Sequence, residues 1–515
     1  MDAHHLRSLG AMLRHWADVA AEQPAIGVVD GRSHTFGSWF RRSSRIACGL
    51  DDLGIGAGDT VGFLGKDAVV WGEVLVAASY VRAAGVPLNW RLSRREMAET
   101  VADAAPSVVV VEPEFLPLLG HDDPGDGVTR VIVGEAAPIA YDDWVEGLRA
   151  SEPEMAPESD DVAMIVYTSG TSGRAKGVEL PNRAIAANIA SSAPWDIKPG
   201  DTVMIPAPLF HVSGTGWLFY CLGIGAEALY TTDIKPSTVL DVLAGGGVDH
   251  ALTVPAVVHM LISHPDAQGR EYPSLRTLIY GGSPMAPATA RDAMAIFGCE
   301  LVQSYGMTET CGPITFLTAD DHRAGGRRLA AAGRAVQGVE LVVADPIDGS
   351  VCPPGVTGEV RTRSALIMSG YRNQPDELVK VLTPDGWFRT GDAGYLDEDG
   401  YLFLCDRIKD MIVSGGENIY PIEVENVLLE HPQVLEAAVI GVPDEKWGET
   451  VKAVVVAREP LDPGELTLFC RDRLAHYKCP TSIDLSDELP RNPSGKLLKR
   501  ELRKVYWSQH SRSIA

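Results

Sequence analysis

Tyr167 to Val178 reads YTSGTSGRAKGV and follows the apolar run Val162-Ala163-Met164-Ile165-Val166. A short apolar run bounded by a glycine-rich segment reads as a buried strand. Beyond it, Thr168, Ser169 and Thr171 alternate with Gly170 and Gly173, and Lys176-Gly177 ends the loop. Glycines let backbone N–H groups approach an anion closely, hydroxyls add donors, and lysine adds a mobile positive charge. Together these are what a chain needs to hold a polyphosphate. The loop is not a Walker A sequence, because Ala175 precedes the lysine and Gly177 follows it. Taken alone, a flexible polar hairpin is the plain alternative.

At 515 residues the chain exceeds the usual size of one core, which favours two or more domains. It carries 45 Lys and Arg against 69 Asp and Glu, a net charge of -24. So acidic a chain is a poor general binder of nucleic acid or of an anionic membrane surface, and must concentrate positive charge locally to handle phosphates. Cysteines at 48, 221, 299, 311, 352, 405, 470 and 479 form no CxxC pair and no zinc spacing. They read as reduced, mostly buried thiols of a cytosolic protein. The amino terminus has charges throughout and no apolar core of signal-peptide type, and no apolar run reaches transmembrane length. A cytoplasmic location is the expectation.

Leu6, Leu9, Met12, Leu13 and Trp16 lie near helical spacing and predict an amphipathic helix over 5–23. His34-Thr35-Phe36 leads into a helix through Leu50, and the turn at 54–59 leads into the strand VGFLG. A helix over Val69–Arg82, a strand at Gly85–Pro87, a helix from Ser93 and a strand at Val108–Val111 follow. After the glycine-rich loop come a helix from Arg183, a strand at Thr202–Pro206, a helix at Pro236–Ala244 and strands near Ala251 and Leu278. Strands alternating with helices indicate parallel sheets covered by helices, an α/β class. From Gly333 to Glu359 the segments become short and punctuated by Gly and Pro, which predicts a small β-rich subdomain. The strand Gly400–Cys405 and the charged break 406–410 mark a boundary. An α+β pattern follows: a helix at Pro421–Glu430, strands at Glu436–Ile440 and Val451–Val456, a helix at Pro463–Leu474 and a closing basic stretch.

Four further clusters carry chemistry. Ser304-Tyr305-Gly306-Met307-Thr308-Glu309 is a glycine turn ending in a hydroxyl and a carboxylate that suits Mg²⁺ beside a nucleotide phosphate, although such pairs are common. Arg389-Thr390-Gly391-Asp392 sets a carboxylate on a tight turn, either to grip ribose hydroxyls or simply to make the turn. Lys496, in PRNPSGK, sits on a stiffened loop where a solvated surface lysine is the ordinary case. His211, in PLFHVSG, is a lone histidine in apolar surroundings, ordinarily a satisfied core residue.

In order and spacing, YTSGTSGRAKGV, PLFHVSG, YGMTE, GWFRTGD, DRIKDMIVSGGENIYPIEVE and PRNPSGK resemble the adenylate-forming superfamily of acyl-CoA synthetases, peptide-synthetase adenylation domains and beetle luciferases. The resemblance runs from His34-Thr35-Phe36 to Lys496, and six motifs in one order leave chance negligible. SGGENIYPIEVE and DEKWGE are similar to bacterial fatty-acyl-CoA and related acyl-CoA ligases. Ala175 departs from the usual proline, and Ser172 replaces the commoner threonine.

The resemblance implies an N-terminal AMP-binding domain over 1–405, a hinge at 406–410 and a mobile C-terminal domain over 411–515. It implies attack of a carboxylate on the α-phosphorus of ATP, with pyrophosphate leaving, and then displacement of AMP by the thiol of coenzyme A. By motif, Thr168, Ser169, Gly170, Thr171 and Lys176 should cradle the β- and γ-phosphates, Thr308 should touch the α-phosphate and Glu309 should hold Mg²⁺. Gly282, Ser283, Pro284, Tyr305, Gly306, Met307 and Leu404 should frame the nucleotide, and Asp392 and Arg407 the ribose. Lys496 should bridge the carboxylate and the α-phosphate. Rotation about Lys409 should then replace it with Ser414, Gly415 and Gly416, which with Trp447 belong to the CoA site. His211, Trp217, Gly281, Cys311, Gly312 and Pro313 should form an acyl pocket without lysine or arginine, which favours a hydrophobic acid, a fatty, aromatic or steroid-derived one. A homodimer is compatible with the resemblance. Two rivals stand beside it. A ligase loading a carrier protein is disfavoured by the CoA-type hinge motif and by the absence of a carrier domain after residue 515. A catalytically silent binding paralogue is disfavoured by retention of Lys176, Glu309, Asp392, Arg407 and Lys496.

Overall fold

The computed structural model describes residues 5–120, 129–132, 140–151, 157–168, 175–414, 417–444, 446–491 and 497–507. The chain divides into two compact units, Met1–Glu340 with Thr362–Phe388, and Leu341–Arg361 with Arg389–Ala515.

The first unit is built on two sheets. One has seven strands in the order Gly370–Tyr371, Lys176–Pro181, Val162–Thr168, Ala84–Pro87, Thr60–Leu64, Val108–Val111 and Thr129–Ile132. Its middle strands pair in parallel, and all four residues of Val108–Val111 are buried, as an unbroken apolar run in a covered parallel sheet should be. The other has nine strands, with Thr202–Ile205, His250–Thr253, Thr277–Gly281 and Glu300–Met307 parallel at its centre.

Helices cover these sheets for local reasons. Leu9–Val19 starts where the Ser8 hydroxyl accepts from Ala11 N–H, and it buries Leu9, Met12, Leu13 and Trp16. Arg94–Ala104 starts at a capping box in which Ser93 and Glu96 satisfy each other's backbone. Ala68–Tyr80 has no polar face and is buried all round, capped by Asp67.

Two parts of this architecture depart from an all-parallel reading. Lys176–Pro181 is a strand, antiparallel to Val162–Thr168, because buried Val178 and Leu180 alternate with Glu179. Gly312–Leu317 likewise folds back antiparallel on Glu300–Met307. Thr168 and Lys176 therefore end two antiparallel strands side by side, and the YGMTE stretch ends in a hairpin turn.

In the second unit, four strands lie in the order Glu340–Ala344, Gly358–Arg363, Phe388–Leu396 and Leu402–Arg407. A five-stranded sheet follows, with Val434–Asp444 antiparallel to Gly448–Ala457, and Ile412–Ser414, Glu417–Ile419 and Ser482–Leu485 beside them. The two long strands outrun the expected spans, because the antiparallel ladder stays in register up to the Asp444↔Gly448 pair. Helices Pro421–Leu429 and Pro463–Arg471 bury Val424, Leu428, Leu466 and Cys470 in its core. The closing helix Lys499–Trp507 is pinned by Arg503 to Asp410 (2.8 Å) and by Trp507 Nε1–H to Gly441 O (3.0 Å).

All eight cysteines are free thiols. Among the described residues, no helix is long and apolar enough to cross a membrane.

Candidate active site

The hairpin of the seven-stranded sheet sets Thr168 directly opposite Lys176. Ser169, Gly170 and Thr171 lie outside the described residues. Lys176 forms an ion pair with Glu377, and its Nζ lies 4.9 Å from the centroid of the Tyr371 ring. Tyr371 in turn donates its hydroxyl to Glu309 Oε1 (3.1 Å). Lys176 and Glu309, far apart in sequence, therefore both contact one tyrosine, Lys176 over its ring and Glu309 at its hydroxyl.

Tyr371 is placed there by backbone pairing. Gly370 and Tyr371 pair with Glu179 and Val178, Arg372 N–H donates to Gly177 O (2.8 Å), and Met368 N–H donates to Glu309 O (3.0 Å). Burial first, and the Glu309 carboxylate second, keep the Tyr371 phenol protonated. Lys176 and Lys380 hold the Glu377 carboxyl down at about 2, so Glu377 is ionised at any physiological pH.

The second hairpin carries Thr308 and Glu309 on the short turn Thr308–Thr310. Thr310, fully buried, locks this turn: its Oγ1 accepts from Met307 N–H (3.0 Å) and donates to Gly312 O (2.6 Å). Cys311 and Gly312 both have positive φ, 53° and 125°. Gly306 faces Pro313 across the hairpin, and Met307 faces Gly312. Gly281 pairs with Ser304, next to Tyr305, and Gly282, Ser283 and Pro284 continue from the same strand end. The carboxyl ends of adjacent parallel strands are where α/β sheets hold ligands.

Trp217, Cys311 and Gly312 come together at an aromatic wall. The Trp195 ring lies 4.4 Å from Trp217, 4.5 Å from Tyr220 and 5.2 Å from Phe316, centroid to centroid, and Trp195 Nε1–H donates to Ser304 Oγ (3.0 Å). Asn188 Nδ2 donates to Cys311 O.

His211 precedes the helix Val212–Ile224, and its buried Nε2 has no hydrogen-bond partner among the described residues. It is not the satisfied core histidine that its sequence setting suggested. Burial, helped by the Arg91 charge, pushes the imidazole down to about 4. Arg91 itself lies over the Phe210 ring, 5.6 Å from its centroid, so a cation stands beside a region whose sequence neighbours are apolar.

A stability prediction follows from His211. An unfolded histidine titrates near 6.5, so between about pH 6.5 and 4 the unfolded chain binds a proton that the folded chain does not. Stability should therefore fall as pH falls through that window, with His211 accounting for about 2–3 kcal/mol by pH ~4.5. Chemical denaturation of the wild type and His211→Leu at neutral and acidic pH checks this, since other titrating groups cancel in the double difference. An equal acid loss in both proteins would refute it.

In the second unit Asp392 and Arg407 are directly paired across antiparallel strands, and Leu404 pairs with Gly394. Lys409 falls within the turn Ile408–Asp410. Ser414 pairs with Gly448, the neighbour of the half-exposed Trp447. Gly415, Gly416 and Lys496 lie outside the described residues.

Sequence reasoning missed Tyr371, Glu377, Arg91, Asn188 and Tyr220. The Gly370-Tyr371 dipeptide before Asn373, a residue with positive φ, and the Pro375 helix start was a turn signal that could have flagged the first two.

The AMP-binding enzyme description matches residues 13–372, and the AMP-binding enzyme C-terminal domain description matches residues 423–496. The chain is 36% identical to the fatty acid–acyl-carrier-protein ligase ScoC of Streptomyces coeruleorubidus, with 100% of each chain covered. It is also 36% identical to a feruloyl-CoA synthase of an Amycolatopsis species, over 92% of this chain and 94% of that one. Among solved structures, ATP-bound MatB from Rhodopseudomonas palustris matches with a TM-score of 0.89 and 28% identity, covering 98% of this chain and 100% of that one.

Proposed function

The chain belongs to the AMP-binding enzyme family and has the adenylate-forming fold, and from that premise we propose an ATP-dependent acid–thiol ligase that joins a hydrophobic carboxylic acid to coenzyme A. The observation that carries this reading is that Lys176 and Glu309 both contact Tyr371, the lysine over its ring and the carboxylate at its hydroxyl. It puts a cation for phosphate and a hard carboxylate oxygen in one place.

A carboxylate is a poor acylating agent, because its leaving group would be oxide. Attack of a carboxylate oxygen on the α-phosphorus of ATP forms the acyl-adenylate and expels pyrophosphate. Attack of the CoA thiol on the acyl carbon then forms the thioester and expels AMP. Catalysis of such steps is mainly positioning and charge stabilisation. In this reading Lys176 and the Thr168–Thr171 hydroxyls hold the β- and γ-phosphates, and Thr308 the α-phosphate. Gly282, Ser283, Pro284, Tyr305 and Leu404 frame the base, Gly306 and Met307 belong to the same nucleotide site, and Asp392 and Arg407 hold the ribose. His211, Trp217, Gly281, Cys311 and Gly312 line the acyl site. Although 341–361 and 389–405 group with the second compact unit, the proposed working division keeps 1–405 as one domain, and rotation of 411–515 about Lys409 exchanges Lys496 for Ser414, Gly415, Gly416 and Trp447 at the site.

Among the described residues no group of three metal-ligating side chains occurs. Mg²⁺ needs no such group, because it takes one or two carboxylates and completes its shell with phosphate oxygens and water. Glu309, with the Thr308 hydroxyl beside it, is the residue that would hold the ion. Bound there, Mg²⁺ would offset negative charge on the phosphates. A cytoplasmic location and a homodimer complete the proposal.

Pyrophosphate exchange with and without CoA, followed by AMP release across fatty, aromatic and steroid acids, tests the reading. No acid-dependent exchange would overturn it. The acceptor has a second reading, because ScoC, whose name gives an acyl-carrier protein as acceptor, matches this chain along its full length. AMP release on a phosphopantetheinylated carrier in place of CoA separates the two.

The Lys176–Glu377 pair adds a quantitative expectation. ATP must draw the lysine from Glu377, and a partly exposed ion pair is worth about 1 kcal/mol. Glu377→Gln should lower the KM for ATP roughly fivefold, an energy of about that size. A raised KM would show instead that Glu377 positions the lysine for phosphate.

A further inference from the structure

Two buried polar atoms stand unpaired in the aromatic wall. Asn188 and Tyr220 are 0% and 3% exposed, yet Asn188 Oδ1 and the Tyr220 hydroxyl have no hydrogen-bond partner among the described residues. Leaving a buried polar group unsatisfied costs about 1–3 kcal/mol, and leucine and phenylalanine would fill the same space without that cost.

Both side chains stand against Gly312. A Cβ built on Gly312 would lie 2.6 Å from Asn188 Nδ2 and 2.7 Å from the Tyr220 hydroxyl. The orientation of Asn188 is fixed, because its Nδ2 donates to Cys311 O, which leaves Oδ1 as a bare acceptor. Tyr220 stands edge-on to Trp195, whose own N–H is committed to Ser304. The cluster thus offers one acceptor and one group that both donates and accepts, against rings suited to a carbon skeleton.

We propose that Asn188 and Tyr220 determine specificity, recognising a hydroxyl group carried by the acid. The Tyr220 O–H donates to the substrate hydroxyl oxygen, and the substrate O–H donates to Asn188 Oδ1. This rests on the ligase reading above and narrows its substrate from a hydrophobic acid to a hydroxylated one. A plain alkyl or unsubstituted aromatic acid leaves both protein atoms unpaired. Sites built to hydrogen-bond a substrate hydroxyl reject the analogue lacking it far more strongly than apolar pockets discriminate by size.

The test uses the full-length enzyme with ATP and CoA and measures AMP release for matched acids. The pairs are hexanoic, octanoic and decanoic acids against their beta- and omega-hydroxy counterparts, and cinnamic against para-hydroxycinnamic acid. In at least one pair the hydroxylated member should have the higher kcat/KM by roughly 30-fold or more. Tyr220→Phe should bring that ratio to within about threefold, with the larger loss on the hydroxylated acid and an unchanged or raised melting temperature. A wild-type enzyme that reacts with both members of every pair equally, as a water molecule satisfying both atoms would allow, overturns the proposal and leaves the ligase reading standing. A ratio unchanged in Tyr220→Phe overturns it too. No AMP release from any acid removes the ligase reading, and this proposal with it.

Discussion

A Lys496→Ala enzyme is expected to lose acyl-adenylate formation by roughly a thousandfold while still converting a supplied acyl-adenylate to the thioester. The feet of the loop that carries Lys496 are fixed. Arg491 and Leu497 pair across its base, Leu498 N–H donates to Pro490 O (2.8 Å), and Leu489 packs with Ala438, Val454 and Val456 in the sheet of the second unit. In the proposed adenylation step Lys496 meets two anionic groups at once, the attacking carboxylate and the α-phosphate. Removing it leaves their mutual repulsion uncompensated as the new bond forms, where charge-assisted hydrogen bonds are strongest. The thioester step has no such pair to hold together, and rotation about Lys409 would by then have withdrawn the loop. Pyrophosphate exchange and thioester formation from synthetic acyl-adenylate are the two measurements. Equal losses in both would refute the exchange of loops between the half-reactions.

What the sequence disclosed depended on how local the physics was. Glycines with hydroxyls before Lys176, the helix start at Ser93, and the valine run at 108–111 are each decided within a few residues, and each can be read without the fold. The pairing of Asp392 with Arg407 was legible only through the family resemblance, because it needs the two strands aligned to the residue. Tyr371 and Glu377 were not legible. They reach Lys176 because a two-residue strand, Gly370–Tyr371, adds to the outer edge of Lys176–Pro181, and no periodicity announces so short a pairing. Asn188 and Tyr220 were missed for the opposite reason. Each sits on an ordinary apolar helix, Asn182–Ala190 or Val212–Ile224, and its hydrogen-bonding capacity matters only because the helices bring both to Gly312. The acyl pocket proposed from apolar motif residues would then gain two polar groups, one from helix Asn182–Ala190 and one from the part of helix Val212–Ile224 beyond PLFHVSG.

Gly306→Ala should lower pyrophosphate exchange by about a hundredfold or more, which is the scale of a 1 Å misplacement of catalytic groups. Gly306 is not a positive-φ residue, so backbone strain is not the reason. The reason is contact: an alanine Cβ would lie 1.9 Å from Gly312 O, 2.6 Å from Gly312 C and 2.8 Å from Pro313 Cα. All three are backbone atoms, and no rotamer change can move them aside. Relief must come from spreading the hairpin, and Thr310 holds that hairpin shut through Gly312 O. Spreading it displaces Thr308 and Glu309 at the tip, and Gly312, on which Asn188 and Tyr220 converge, on the returning strand. One methyl group should therefore raise the KM for both ATP and the acid. Overpacking of this kind costs about 1–3 kcal/mol. A folded domain with about 5–15 kcal/mol to lose survives that, so the variant should still melt cooperatively at a lowered temperature. Gly56→Ala is the control, since its nearest neighbour, Val81 O, would be 3.9 Å away. If Gly306→Ala keeps wild-type exchange, or if only one of the two KM values moves, the hairpin does not set both halves of the site, and the glycine serves packing alone.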